Sequence, residues 1–193
     1  MNKNAMARTY TEQIPIGFNA PGFTLPDVVS GKNISLEDLR GKKATVVMFI
    51  CNHCPYVVHV RQELVKLAND YIPRNISFVA ISSNDIANYP EDAPDKMREL
   101  ALTMKFPFPY LYDESQEAAK AYYAACTPDF SIFDNEMKCV YRGQLDDSRP
   151  QSGIPVTGKD IRAALDAIIK GEKVNEIQKP SMGCNIKWKM DDG

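Results

Sequence analysis

The chain has 193 residues, the size of a single domain with room for a short appendage. Hydrophobic residues make up 44% of it and charged residues 25%, an ordinary globular balance that excludes disorder along the whole length. No window is long and apolar enough for a membrane span, and a net charge of −2 with scattered Lys and Arg argues against a nucleic-acid partner.

Five cysteines stand at Cys51, Cys54, Cys126, Cys139 and Cys184. An odd count at irregular spacing is unlike the disulfide framework of a small secreted scaffold. The N-terminal segment carries no apolar signal-peptide core, so the expectation is a cytoplasmic protein. Three stretches are expected: a polar N-terminal segment over 1–16, one domain over 17–171, and a tail over 172–193 that carries Cys184 and Trp188.

Within that domain, Phe18, Phe23 and Leu25 belong to short extended pieces broken by prolines. Residues 35–41 read as one helical turn, with Ser35 as cap, Asp38 in the capping-box position and Gly41 as stop. Residues 44–50 are a continuous apolar run, as in a central strand buried on both faces. Val57, Val60, Leu64, Leu67, Ala68 and Tyr71 then fall on one face of a helix. Residues 76–82 are a second buried strand, followed by a polar loop over 83–94. Met97, Leu100, Ala101 and Met104 mark a short amphipathic helix, residues 108–112 a strand, and residues 116–125 an Ala- and Tyr-rich helix. Residues 130–133 and 139–142 are strands joined by a turn at Asp134, Asn135 and Glu136. Ile161, Ala164, Leu165, Ile168 and Ile169 make a last amphipathic helix that Gly171 stops. The order β-α-β-α-β-α-β-β-α predicts an α/β protein, a three-layer α/β/α sandwich with a mixed central sheet.

The stretch that carries chemistry is Cys51-Asn52-His53-Cys54-Pro55-Tyr56. A C-x-x-C between a buried strand and a helix puts thiols beside the orphan N–H groups and the positive end of the helix dipole, which stabilise a thiolate. The two-residue spacing lets the sulfurs bond to each other, so the pair can cycle between dithiol and disulfide. Proline is favoured at the first helical position; with Pro55 there, Cys54 is the N-cap, with the N–H groups of Tyr56 and Val57 available to its sulfur. That makes Cys54 the favoured nucleophile and Cys51 its partner. A C-x-x-C is also a zinc half-site, to which Cys126, Cys139, Cys184 or His59 could contribute ligands, and it can be an inert structural pair.

The segment from Val46 to Tyr56 resembles the active-site strand and helix of the thioredoxin fold, and within it the peroxiredoxin-like AhpC/TSA group. Ala20-Pro21-Gly22-Phe23-Thr24-Leu25 is similar to that group's A-P-x-F-x-L opening. Leu36-Glu37-Asp38-Leu39-Arg40-Gly41-Lys42 is similar to its L-x-x-L-x-G-K lead-in. The tail around Ser181-Met182-Gly183-Cys184 resembles that of a subgroup carrying C-N-H-C-P-Y. The resemblance implies a thioredoxin-like sandwich with a peroxiredoxin-type N-terminal extension. It also implies that Thr127-Pro128 is the cis-proline step before a strand, whose backbone would pair with a substrate chain beside the disulfide. Aligned on the strand, Cys54 takes the place of the peroxidatic cysteine. The pattern P-x-x-x-T-x-x-C is broken, however, because Val47 stands at the proline position and Cys51 at the threonine position. A hydroxyl that would orient a peroxide is replaced by a thiol, which favours dithiol–disulfide exchange.

The site expected from these readings has Cys54, Cys51 and His53 as catalytic residues and Thr127, Pro128 and Asn52 facing substrate. A protonated His53 would hold the thiolate and make the pair more oxidising; the alternative is a loop histidine without that contact. Cys126 and Cys184 are accessory redox sulfurs or packing, and Cys139 is packing. Residues 142–149 either flank the site, as an arginine does in peroxiredoxins, or form a solvated loop held by its own ion pairs. Three function classes follow: a thiol–disulfide oxidoreductase; a thiol peroxidase with Cys54 peroxidatic and Cys51 resolving; and a metal-binding or interaction module. The first is favoured. It needs no bound cofactor or metal, and its partners are a protein or low-molecular-weight thiol or disulfide and a reducing partner. The sequence leaves the oligomeric state open.

Overall fold

In a computed structural model, residues 8–12 and 14–190 are described. In chain order the elements are β1 (Arg8–Tyr10), β2 (Thr24–Pro26), β3 (Asn33–Ser35), β4 (Ala44–Phe49), α1 (Pro55–Tyr71), β5 (Ile76–Ser82), α2 (Pro94–Met104), β6 (Tyr110–Tyr112), α3 (Glu117–Ala121), β7 (Cys126–Thr127), β8 (Asp129–Asp134), β9 (Cys139–Gly143), α4 (Lys159–Lys170) and β10 (Met182–Asn185). The central sheet runs β6-β5-β4-β8-β9. β4 pairs with β5 in parallel, and β5 with β6 likewise, while β8 runs antiparallel to both β4 and β9. The predicted mixed sheet is therefore present.

Every residue of β4 is buried, and its side chains alternate between two cores. Val46, Met48 and then Ile50 enter one with the inner faces of α1, α2 and α4. Val47 and Phe49 enter the other with Leu36, Leu39, α3 and the partly buried Phe18, Phe23 and Leu25. That period of two is what a strand requires when layers cover both faces. The two cores make the three-layer sandwich, and the proline-broken N-terminal pieces are part of its second outer layer. Among the described residues no helix is long and apolar enough to cross a membrane.

One local expectation holds and two shift. Ser35 and Asp38 do exchange the reciprocal bonds of a capping box, Ser35 N–H to Asp38 Oδ2 at 2.9 Å and Asp38 N–H to Ser35 Oγ at 3.2 Å. The helix they open is a single tight turn, Glu37–Leu39. The helix expected over 116–125 spans only Glu117–Ala121: Gln116 precedes it at φ 65° and Tyr123 follows at φ 52°, left-handed conformations that no α-helix continues through. The polar run over 142–149 is not a solvated loop. Arg142, Gln144, Asp146 and Ser148 are buried; Asp146 accepts from the N–H groups of Ser148, Thr157 and Gly158 at 2.7–2.8 Å. Ion pairs are made at two places in the run, Asp147 with Lys159 and Lys179 and Arg142 with Asp129, all with partners outside it.

The chain ends meet. β10 lies between β1 and β7 in a second, three-stranded sheet, with Cys184 opposite both Arg8 and Thr127. β10 is anchored beyond its pairing: Ser181 Oγ donates to the Pro128 carbonyl at 2.6 Å, Ile186 is buried, and the Lys187 carbonyl accepts from Asp85 N–H at 2.8 Å and Gln116 Nε2 at 2.9 Å.

Candidate active site

β4 delivers the C-x-x-C to the end of the central sheet, and α1 begins one residue beyond it. Cys54 is the N-cap in an extended conformation and Pro55 opens the helix, as the capping argument predicts. Thr127-Pro128 is a cis peptide bond, and Thr127 faces both cysteines. Its hydroxyl lies 3.3 Å from Cys51 Sγ and its carbonyl oxygen 3.2 Å from Cys54 Sγ. The third sulfur at this point is Cys184, with Sγ 2.7 Å from Cys54 Sγ. All three side chains are buried, and all five cysteines are free thiols.

The three sulfurs are unequal. Cys54 is held far below the ordinary thiol range, first by the Cys184 thiol and next by the Cys51 thiol. Burial opposes this; the backbone N–H groups of Val57 and Cys184 assist it. The helix terminus contributes through the Val57 N–H, a smaller cause than the two thiols. The Thr127 carbonyl can only accept, so its contact is a hydrogen bond donated by the Cys54 thiol. Cys51 is pushed well up, first by its bond to Cys54 and then by burial, with the Thr127 hydroxyl working in the other direction. Cys184 is pushed up by its bond to Cys54 and by burial, against the nearby Lys187 charge. The arrangement is three thiols in contact, of which Cys54 is the one whose ionisation its neighbours favour.

The loop between the cysteines is clamped by Asp92, which sequence spacing gave no reason to choose. Its carboxylate accepts from Asn52 N–H at 2.7 Å, His53 N–H at 3.3 Å, His53 Nδ1 at 2.6 Å and Asn84 Nδ2 at 2.8 Å. The Asp92 bond raises the His53 pKa against partial burial. Burial pushes the Asp92 carboxyl up, but His53 and Asn84 outweigh it and bring it below the usual range. His53 also stacks on Tyr89 with ring centroids 5.5 Å apart. Its hydrogen bond goes to Asp92; the Cys54 charge adds only a lesser attraction. The Asn52 side chain is spent on the loop, its Nδ2 donating to Glu91 O at 3.0 Å and its Oδ1 accepting from Tyr110 at 3.1 Å.

The remaining candidates separate. Cys126 is buried 3.9 Å from Thr11 Oγ1, and burial raises its pKa. Cys139 sits in the second core, with burial pushing its thiol up to about 12. His59 meets Ser148 Oγ at 2.7 Å. Arg142 bonds the carbonyls of Glu12 and Tyr123 and the Ser131 hydroxyl; among the described residues none of its hydrogen bonds goes to a cysteine. Cys51, His53 and Asp92 offer sulfur, nitrogen and oxygen within 4.8 Å of one another, although two of these three already bond each other.

A mixed sheet with a helix-capping C-x-x-C beside a cis-proline defines a thioredoxin-like protein. The chain matches the AhpC/TSA family over residues 16–142 and belongs to it. An uncharacterized conserved protein from Geobacillus kaustophilus has a crystal structure 60% identical in sequence, covering 97% of this chain and 99% of its own, with a TM-score of 0.95. A hypothetical protein from Sinorhizobium meliloti is 46% identical over 94% of this chain and 99% of its own, with a TM-score of 0.92. The thioredoxin domain of a thiol-disulfide oxidoreductase from Bacteroides vulgatus is 19% identical over 71% of this chain and 91% of its own, with a TM-score of 0.58, and shows the shared fold. A search of curated proteins gave no match.

Proposed function

We propose that the chain is a thiol–disulfide oxidoreductase that cycles Cys51 and Cys54 between dithiol and disulfide, with Cys54 the nucleophile. The carrying observation is the placement of the pair: Cys54 caps α1 and Cys51 precedes it, both against Thr127 of the cis Thr127-Pro128 step, with the Cys54 pKa lowered and that of Cys51 raised. The Cys54 thiolate attacks one sulfur of a substrate disulfide, forming a mixed disulfide and releasing the other half as thiolate. Cys51 then attacks Cys54 Sγ, gives its proton to the departing thiolate, and leaves a Cys51–Cys54 disulfide. The Thr127 hydroxyl, on Cys51, helps that sulfur ionise. His53 and Asp92 hold the loop between the two.

The partners in this reading are a protein or low-molecular-weight thiol or disulfide and a separate reductant. A groove of about 550 Å³ beside the loop, lined by Asn52, Arg61, Glu91 and Lys96, suits a small charged thiol. A cytoplasmic setting would keep such cysteines reduced. The peroxidase reading has less support, because the Thr127 hydroxyl sits on Cys51 rather than on Cys54 and Arg142 is bonded elsewhere. The test is a titration in glutathione buffers of wild type, Cys51→Ser and Cys54→Ser, read by alkylation mass, with peroxide in a parallel series. A reversible two-electron couple that needs both cysteines is the expected result. Rapid peroxide turnover with sulfenic acid on Cys54 would replace this reading with the peroxidase.

A further inference from the structure

We propose that Cys184 is a third redox thiol of this site: β10 stands where an incoming client strand would lie, and Cys184 exchanges into a disulfide with Cys54. This rests on the oxidoreductase reading and extends it. The backbone of β7, immediately before the cis-proline, is the edge on which a thioredoxin-like site would seat a client chain. Here that edge is filled by the protein's own strand, antiparallel, with Cys184 opposite Thr127 and Asn185 opposite Cys126.

The approach is close because residue 183 has no side chain. A Cβ on Gly183 would fall 1.9 Å from the Thr127 carbonyl oxygen, so only glycine lets the two backbones meet this way. The strand is fixed on its far side by β1 and beyond its end by Ile186 and Lys187. The sulfur so delivered sits 2.7 Å from Cys54 Sγ, against about 2.05 Å for a disulfide bond. A sulfur present only for packing would be expected against carbon. This one is aimed at the nucleophile.

The exchange balances without an outside oxidant. The Cys184 thiolate attacks Cys54 Sγ of the Cys51–Cys54 disulfide; the Cys54–Cys184 bond forms, the Cys51–Cys54 bond breaks, and Cys51 takes up the proton Cys184 released. Net oxidation state is unchanged. In the same way Cys184 can resolve a mixed disulfide on Cys54, with its proton passing to the departing substrate thiolate. A protein client must lift β10 to reach the edge, whereas a small thiol or disulfide need only reach the sulfur.

The experiment uses full-length Cys51→Ser, with Cys51→Ala beside it in case serine disturbs the loop, each checked for a cooperative melt. Reduced protein is treated with oxidised glutathione, quenched by alkylation and mapped by peptide mass. The expected product is an intrachain Cys54–Cys184 disulfide in most molecules, replaced by a Cys54–glutathione adduct when Cys184→Ser is added. Wild type should show both the 51–54 and the 54–184 linkages. If the Cys51 variants stop at the glutathione adduct with Cys184 free to alkylate, the proposal is overturned. If wild type then still forms 51–54 reversibly, the oxidoreductase reading stands without it. If wild type forms neither disulfide, both fall.

Discussion

Gly183→Ala is the most direct perturbation of how the site is assembled. The added Cβ would lie 1.9 Å from Thr127 O, 2.5 Å from its carbonyl carbon and 3.1 Å from Pro128 N. A comfortable carbon–oxygen contact is about 3.3 Å, so the strands must part by about 1.4 Å at this point, and all three atoms in the way are backbone. Overpacking of this kind costs about 1–3 kcal/mol. The cost falls on β10, a four-residue strand whose displacement relieves it. A bias of that size raises the population of the lifted strand roughly 5- to 150-fold. The assay is the rate at which Cys184 reacts with iodoacetamide in the native protein, followed by peptide mass. Cys139, buried in the second core, serves as the internal control for global unfolding. Acceleration of Cys184 by about that factor, with Cys139 unchanged, is expected. A Cys184 rate within twofold of wild type in a folded protein would refute the claim that β10 is seated by the missing side chain.

Three further outcomes follow from the same geometry. Asp92→Asn removes the carboxylate that accepts one hydrogen bond from the His53 ring and three from uncharged N–H donors, and should cost about 2–4 kcal/mol, lowering Tm by roughly 5–15 °C. The raised His53 pKa contributes stability that is lost as pH rises through it, and the lowered Asp92 pKa stability that is lost as pH falls through it. Melts should therefore show the largest deficit between about pH 4 and 6.5; an equal deficit from pH 4 to 8 would rule out the ion pair. Thr127→Val removes the hydroxyl on Cys51 and should prolong a Cys54–glutathione adduct about 5- to 10-fold in the Cys184→Ser background, read by mass against time; an unchanged lifetime would show that the hydroxyl does not assist resolution. Asp129 is buried, and burial raises its pKa to about 6 despite Arg142 at 3.6 Å. Because the folded state then holds a proton the unfolded state has lost, wild type should lose stability between about pH 4 and 6, while Asp129→Asn should not; parallel melting curves would contradict this.

The sequence made the middle of this protein readable because its signals there are local. The apolar run over 44–50 can only be a two-faced strand, and Pro55 fixes where α1 starts and therefore which cysteine caps it. The Thr127-Pro128 step followed from resemblance. Contacts between distant segments were beyond such reasoning. Asp92 is one acid among 25 Asp and Glu, and nothing in its neighbours marks it as the clamp of a loop 39 residues earlier. The run from Arg142 to Arg149 has the composition of a solvated loop, yet Asp146 is buried because three backbone N–H groups need an acceptor there. The shortened α3 turns on left-handed residues at Gln116 and Tyr123, neither of which is a glycine or an asparagine.

The two end segments carry the largest consequence of that limit. Each is too short and too polar to be read as a strand alone, and each becomes one only by pairing: β10 with β1 on one side and with β7 on the other. Together they change what the C-x-x-C can do. Cys54 without β10 would be a helix-capped thiol with one partner, its pKa set by Cys51, Val57 and burial. With β10 in place the largest cause lowering its pKa is Cys184, and it stands between two sulfurs whose pKa values are raised. The same strand sets Cys184 on Cys54 and fills the β7 edge beside it. The position of the C-terminal strand therefore bears on reactivity and on access together, and variants there should move both, whereas variants of Cys51 should move resolution and the ionisation of Cys54 but leave access unchanged.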